Sequence, residues 1–239
     1  MLNKLSVFVL FILTSTSCFG QTITYSIEEA GSFKGQTQQE SEAAIEQAFD
    51  EASAVCGATW TRVKKNGKVR HYWASESEIR ALGRHYFGSR KTYLNNTREL
   101  GLGPNASQSA IRIPMTVVQH ESIGHFLRWP HVDKDDMSSV MNVWARVRYL
   151  TPYDVARLQA RYGYPEKKFY PPEQKYYGDQ IRVYQAKRKL LIVERDSLTG
   201  FVERAAVQLK ILKTVADETI SAMAWLVVKA KWKDVPFAG

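Results

Sequence analysis

Residues 22–27 alternate apolar and polar positions and are rich in β-formers, which predicts a strand. Residues 41–55 carry Ala44, Ile45, Ala48, Phe49 and Ala52 at helical spacing, which predicts an amphipathic helix. Residues 59–63 and 69–74 read as strands separated by an Asn66-Gly67 turn signal. A short helix at 77–82 and strands at 85–87 and 91–94 follow, then a loop at 101–109 rich in Gly, Asn and Ser. Pro114 fits the first turn of a helix running to Leu127. Thr151, Pro152 and Asp154 read as N-cap, first helical position and first-turn acid of another helix. Beyond Pro171-Pro172 the chain reads as two or three helices over residues 174–233. One apolar stripe is Leu198, Phe201, Val202, Ala205, Leu209 and Leu212, with Ser197 in N-cap position. A second is Ile220, Met223, Ala224, Val227 and Val228, with Asp217 near its start. Such a hairpin is expected to pack on the preceding domain or on a second copy.

Composition adds limits. The 239 residues are 44% hydrophobic and 24% charged, which fits a packed globular chain and excludes a largely disordered one. The formal net charge of +9 is spread along the sequence without a Lys/Arg cluster, so no nucleic-acid partner is expected. Lys4 precedes an apolar run at 5–13, too short to span a bilayer, and small polar residues follow; this reads as a signal peptide cut after Gly20. No transmembrane helix is expected elsewhere. The localisation implied is secreted or extracytoplasmic. A lipid anchor through Cys18 is the less favoured form, because Ser15 stands where a lipobox carries Leu.

The chemistry is concentrated in one stretch. Three of the 5 histidines fall within His120-Glu121-Ser122-Ile123-Gly124-His125-Phe126-Leu127-Arg128-Trp129-Pro130-His131. Two helical histidines with a glutamate after the first suit a metal ion and a general base, and His131 lies close enough to fold back as a third ligand. His71 and His85, beside aromatics in strand-like segments, read as ordinary surface or core residues. Cys56 reads as a small buried residue at a helix end. Asp133, Asp135 and Asp136 read as a solvated acidic loop ahead of a structural calcium (Ca2+) site.

The stretch resembles the matrixin-like metzincins, zinc metalloendopeptidases with the signature H-E-x-x-H-x-x-G-x-x-H and a Met-containing turn. The 125–131 spacing matches its second half, Ser138-Ser139-Val140-Met141-Asn142 resembles the Met-turn, and residues 150–163 resemble the closing helix. The resemblance implies an α+β fold with a twisted sheet, an active-site helix and a Met-turn over residues 21–165. A helical extension at 166–239 follows the domain, and the signal peptide at 1–20 precedes it. It implies zinc (Zn2+) held by His120, His125 and His131, Glu121 as catalytic base, and a protein or peptide substrate. The alternative is a catalytically inactive binding protein with the same fold.

Two departures set specific expectations. Three residues, not two, separate Glu121 from His125. Five α-helical positions rotate through about 500°, which would turn His120 away from His125. A π-turn absorbs the extra residue; a regular helix would instead put Glu121 in the first ligand position and Ser122 in that of the base. Arg128 stands where the family has Gly, so the turn there is expected to be shaped differently.

Overall fold

The computed structural model describes residues 20–98, 106–143 and 147–236, with the side chains of 106–111 outside that description. The proposed signal peptide up to residue 19, Cys18 included, lies outside the described residues. The described chain is α+β, with a five-stranded mixed sheet and six α-helices. Its sheet contains β1 (Gln21–Ile27), β2 (Ala58–Arg62), β3 (Val69–Ala74), β4 (Gly83–Tyr86) and β5 (Lys91–Asn95), in the order β2-β1-β3-β5-β4. All neighbours are parallel except the edge strand β4, which runs antiparallel to β5.

Helix α1 (Gln38–Val55) starts from a Thr37–Glu40 capping box and crosses from β1 to β2. Its five pattern residues, Ala44, Ile45, Ala48, Phe49 and Ala52, are all buried. Phe49 stacks between Tyr25 and Trp60, with ring centroids 4.1 and 5.1 Å away, which fastens the helix to the sheet. Cys56 ends this helix as a buried free thiol.

The Asn66-Gly67 signal does not make a hairpin, because β1 lies between β2 and β3. Strand β2 pairs with the first part of β1 and β3 with its last part, meeting at Tyr25. A short connection across the edge therefore suffices. Asn66, at φ 58°, and the backbone N–H groups of Asn66, Gly67 and Lys68 are held by Glu28, Ser26 and Thr24 of the neighbouring β1 segment. A Cβ at Gly67 would come within 2.5 Å of the Tyr25 backbone, so only glycine fits.

After α2 (Glu76–Ile79), helix α3 runs over Ala106–Val118. It begins upstream of Pro114, which sits inside it and not in its first turn. Proline removes one backbone donor there without ending the helix. Helix α4 (Pro152–Tyr162) has the expected cap, with Thr151 and Asp154 bonding reciprocally.

The C-terminal segment forms two helices, α5 (Pro172–Ser197) and α6 (Phe201–Lys231). Ser197 closes α5 and caps nothing; α6 starts after Gly200 and passes through Asp217, where no glycine or proline interrupts it. Its inner seam is Val207 and Ile211 against Leu191, with Ile192, Leu198 and Val215 alongside. Phe201, Val202, Leu209, Leu212, Ile220, Met223 and Val227 are exposed, so most of the positions expected to pack point outward, while Leu198 and Val228 of the same stripes do pack. The hairpin roots on the main body: Val228 and Trp232 join its core, and Glu173 accepts hydrogen bonds from the Trp232 indole and Lys231 ammonium, both 3.1 Å. Among the described residues no helix is long and apolar enough to cross a membrane.

Candidate metal centre

Helix α3 continues directly into a π-turn, Gln119–Gly124, all six residues of which are buried. The His125 N–H donates to the His120 carbonyl at 3.0 Å, five residues back, so the extra residue is absorbed as expected. The chain then reverses at Arg128. Its φ of 59° is the left-handed conformation that the residue type was expected to avoid, and the surrounding bonds impose it. Arg128 N–H donates to His125 O and Trp129 N–H to Gly124 O, both 2.9 Å. Arg128→Gly should therefore stabilise the chain by about 1 kcal/mol, read as a shift of the urea midpoint at unchanged slope.

The reversal returns His131 to the π-turn. Ring centroids are 5.0 Å apart for His120–His125 and for His120–His131, and 4.8 Å for His125–His131. One ligand atom from each lies within 4.8 Å of the others, an arrangement that can hold a metal ion. His120 is buried, His125 half-buried and His131 exposed, so the cluster opens toward solvent through His131. Asp133, Asp135 and Asp136 form no comparable group among the described residues; they are exposed, and Asp133 and Asp136 accept backbone hydrogen bonds within their loop.

The imidazole of His120 is oriented from behind. Its Nδ1 lies 2.8 Å from the Val140 carbonyl, which can only accept, so Nδ1 carries the proton and Nε2 presents a lone pair. Nε2 lies 3.1 Å from His131 Nε2. Val140 N–H in turn donates to buried Asp154 at 3.0 Å, which also accepts from the Ser139 hydroxyl and Thr151 N–H. The cap of α4 thereby fixes the loop that fixes His120. Met141 is fully buried against Gly124, where an added Cβ would stand 2.0 Å from its sulfur.

Burial lowers the His120 and His125 pKa values to about 4, and neighbouring imidazoles add to this. Both are neutral at pH 7, the state a metal requires. Glu121 lies beside them, its Oε2 3.7 Å from His125 Nε2. Burial pushes its pKa up to about 7, against a hydrogen bond from the His85 backbone N–H and the charge of Arg84. Gly83 of β4 makes room for it: a Cβ there would sit 2.7 Å from Glu121 Cγ. A cavity of about 450 Å³ adjoins His120 and Glu121, walled by Leu82, Val117 and Val143, with Arg80 and Arg98 also lining it.

His71 and His85 are core residues; the His71 side chain reaches the π-turn, and the His85 backbone N–H bonds Glu121. The His71 ring spans from Ser26 O, 3.0 Å from Nδ1, to the Ser122 hydroxyl in the π-turn, 2.8 Å from Nε2. His85 Nδ1 lies 2.9 Å from Thr92 Oγ1. The signal available for His71 was its place on the inward face of β3, level with Val69, where a polar ring needs a partner.

Fully buried His71 also has its pKa lowered to about 4 by burial. An unfolded histidine takes up a proton below about 6.5, and this one does not until about 4. Its contribution is thus intact above about pH 6.5 and is lost as pH falls toward 4. His85, His120 and His125 act in the same direction and Glu121, whose pKa is raised, in the opposite one. Urea unfolding of the metal-free chain should therefore show stability falling as pH drops through that window, by up to about 1.4 kcal/mol per pH unit for each net proton taken up on unfolding. A flat profile would contradict the assigned burial.

Comparison with protein-family models and with curated proteins finds no match for the chain.

Proposed function

We propose that the chain is a secreted, matrixin-like metzincin that hydrolyses peptide bonds with zinc. The observation that carries this reading is the convergence of His120, His125 and His131 across a π-turn, with Glu121 beside them. The donor set fits zinc. Tetrahedral ligands at about 2.0–2.1 Å stand about 3.3–3.4 Å apart; His120 and His131 Nε2 are 3.1 Å apart, and all three ligand atoms lie within 4.8 Å of one another. Nδ1 of His120 is already engaged, so its free lone pair points the right way. Supporting features are the Met141 loop behind the π-turn and the antiparallel edge strand β4 next to Glu121, beside which an extended peptide can lie.

Zinc, when bound, supplies Lewis acidity that polarises a carbonyl and lowers the pKa of water to about 7. Glu121 then has the role of proton carrier: it accepts a proton from the attacking water and returns it to the leaving amine. The cavity beside His120 and Glu121 receives a substrate side chain. The rival reading, an inactive binding protein, rests on the extra residue; the π-turn that accommodates it supports the catalytic reading.

The test is zinc stoichiometry of purified protein together with cleavage of an unbiased peptide mixture. One zinc per chain and cleavage that is lost to a chelator and restored by zinc are expected. Full zinc occupancy without cleavage would favour a metal-stabilised binding module, and absence of zinc would favour a relic fold.

A further inference from the structure

The π-turn is the unstable choice for this segment. A regular α-helix is the default conformation, and π-turns persist only where surrounding contacts hold them. Slipping to the α register would rotate the residues before His125 by about 100°, carrying His120 away from the other two imidazoles. Something on the protein side must oppose that slip.

Ser122 is fully buried inside the turn, and its hydroxyl meets Nε2 of fully buried His71 at 2.8 Å. Nδ1 of His71 faces the Ser26 carbonyl at 3.0 Å. A carbonyl only accepts, so Nδ1 carries the proton and Nε2 is the acceptor. Ser122 must therefore donate, and the bonds run one way, from Ser122 through His71 to β1. In the α register the hydroxyl would swing off this line and leave His71 Nε2 as a buried acceptor without a donor.

We infer that His71 and Ser122 form a register lock: positioning residues that hold the π-turn, and with it the three imidazoles, in metal-binding geometry before any metal arrives. The inference rests on the metal reading of the histidine cluster but not on peptide cleavage. Its distinctive claim is that the polypeptide selects the register, through a hydroxyl donor on the sheet side of the turn.

The probe is cobalt(II) alone, titrated into the metal-free full chain and followed by its visible absorption, alongside thermal unfolding. The wild type is expected to give a tetrahedral-type spectrum. Ser122→Ala is expected to bind at least fivefold more weakly with an altered spectrum, and Ser122→Thr, which keeps the hydroxyl, to restore the wild-type spectrum. The double variant His71→Leu/Ser122→Ala removes the Ser122 donor and its Nε2 acceptor together, and also the Nδ1–H that donates to Ser26 O; its cobalt affinity should stay as low as that of Ser122→Ala whatever its unfolding temperature. Affinity that does not track unfolding temperature across these variants separates register selection from simple stability. Folded Ser122→Ala or double variants that bind cobalt with wild-type affinity and spectrum would overturn the lock while leaving the metal site intact. A folded wild type that binds no cobalt would overturn the metal reading and the lock with it.

Discussion

Glu121→Ala is expected to reduce peptide cleavage by about 10²–10⁴-fold while fold and zinc content stay at wild-type levels. The carboxylate sits next to the histidine cluster, its Oε2 3.7 Å from His125 Nε2, without belonging to the three-imidazole group. Its removal deletes a proton carrier and leaves each ligand contact in place, including the Val140 bond that orients His120. The structural cost is modest: the His85 N–H loses an acceptor, on the order of 1–3 kcal/mol. His125→Ala is the contrasting variant. It leaves two imidazoles where catalytic zinc takes three protein ligands, so metal and activity should disappear together. Zinc stoichiometry and cleavage rate for wild type and both variants give the comparison. Equal rates for wild type and Glu121→Ala would end the proposed role of Glu121, whatever the zinc content.

The parts of this chain that were legible from sequence are those where one pattern has one consequence. The α1 stripe has a single apolar face, and that face is the one buried under the sheet. Thr151, Pro152 and Asp154 specify a helix start by local bonds alone, and the cap forms as read. The π-turn was legible as one of two outcomes: two histidines five residues apart conflict with α-helical rotation, which leaves either a π-turn or a regular helix with Glu121 in the ligand position, and the chain adopts the π-turn. Reading failed where one pattern has two outcomes. Helix α6 carries apolar residues on two faces, and periodicity does not say which meets α5; Val207 and Ile211 do, while the stripe through Val202 and Leu209 faces out. Pro114 reads as a helix start because that is where proline is best tolerated, yet α3 begins at Ala106, inside a stretch whose Gly, Asn and Ser content reads as a loop. His71 reads as a surface or core residue and is buried, but its bond to Ser122 is not legible, because the two lie 51 residues apart and only the fold brings them together.

Gly124→Ala is expected to damage both stability and metal binding, although alanine is the better helix former. An added Cβ would stand 2.0 Å from Met141 Sδ, with Cε and Cγ at 3.2 and 3.3 Å, so the whole end of that side chain is in the way. Met141 is fully buried, so any retreat must be into the core. Either the methionine is driven into its neighbours or the π-turn lifts away from the loop beneath it. Overpacking of this kind costs about 1–3 kcal/mol, and here the strain falls on the turn that connects His120 to His125. The neighbouring Val140 carbonyl holds His120 Nδ1, so moving this loop also tilts a ligand. Zinc affinity should therefore fall by at least tenfold, beyond what a distant core mutation of equal destabilisation would produce. Met141→Ala alone should also destabilise, by opening a cavity. Combining the two should be less harmful than their sum, with a coupling energy of about 1 kcal/mol or more in a double-mutant cycle. Additive losses would mean that Met141 does not press on Gly124, and the account of why glycine precedes the second histidine would have to be abandoned.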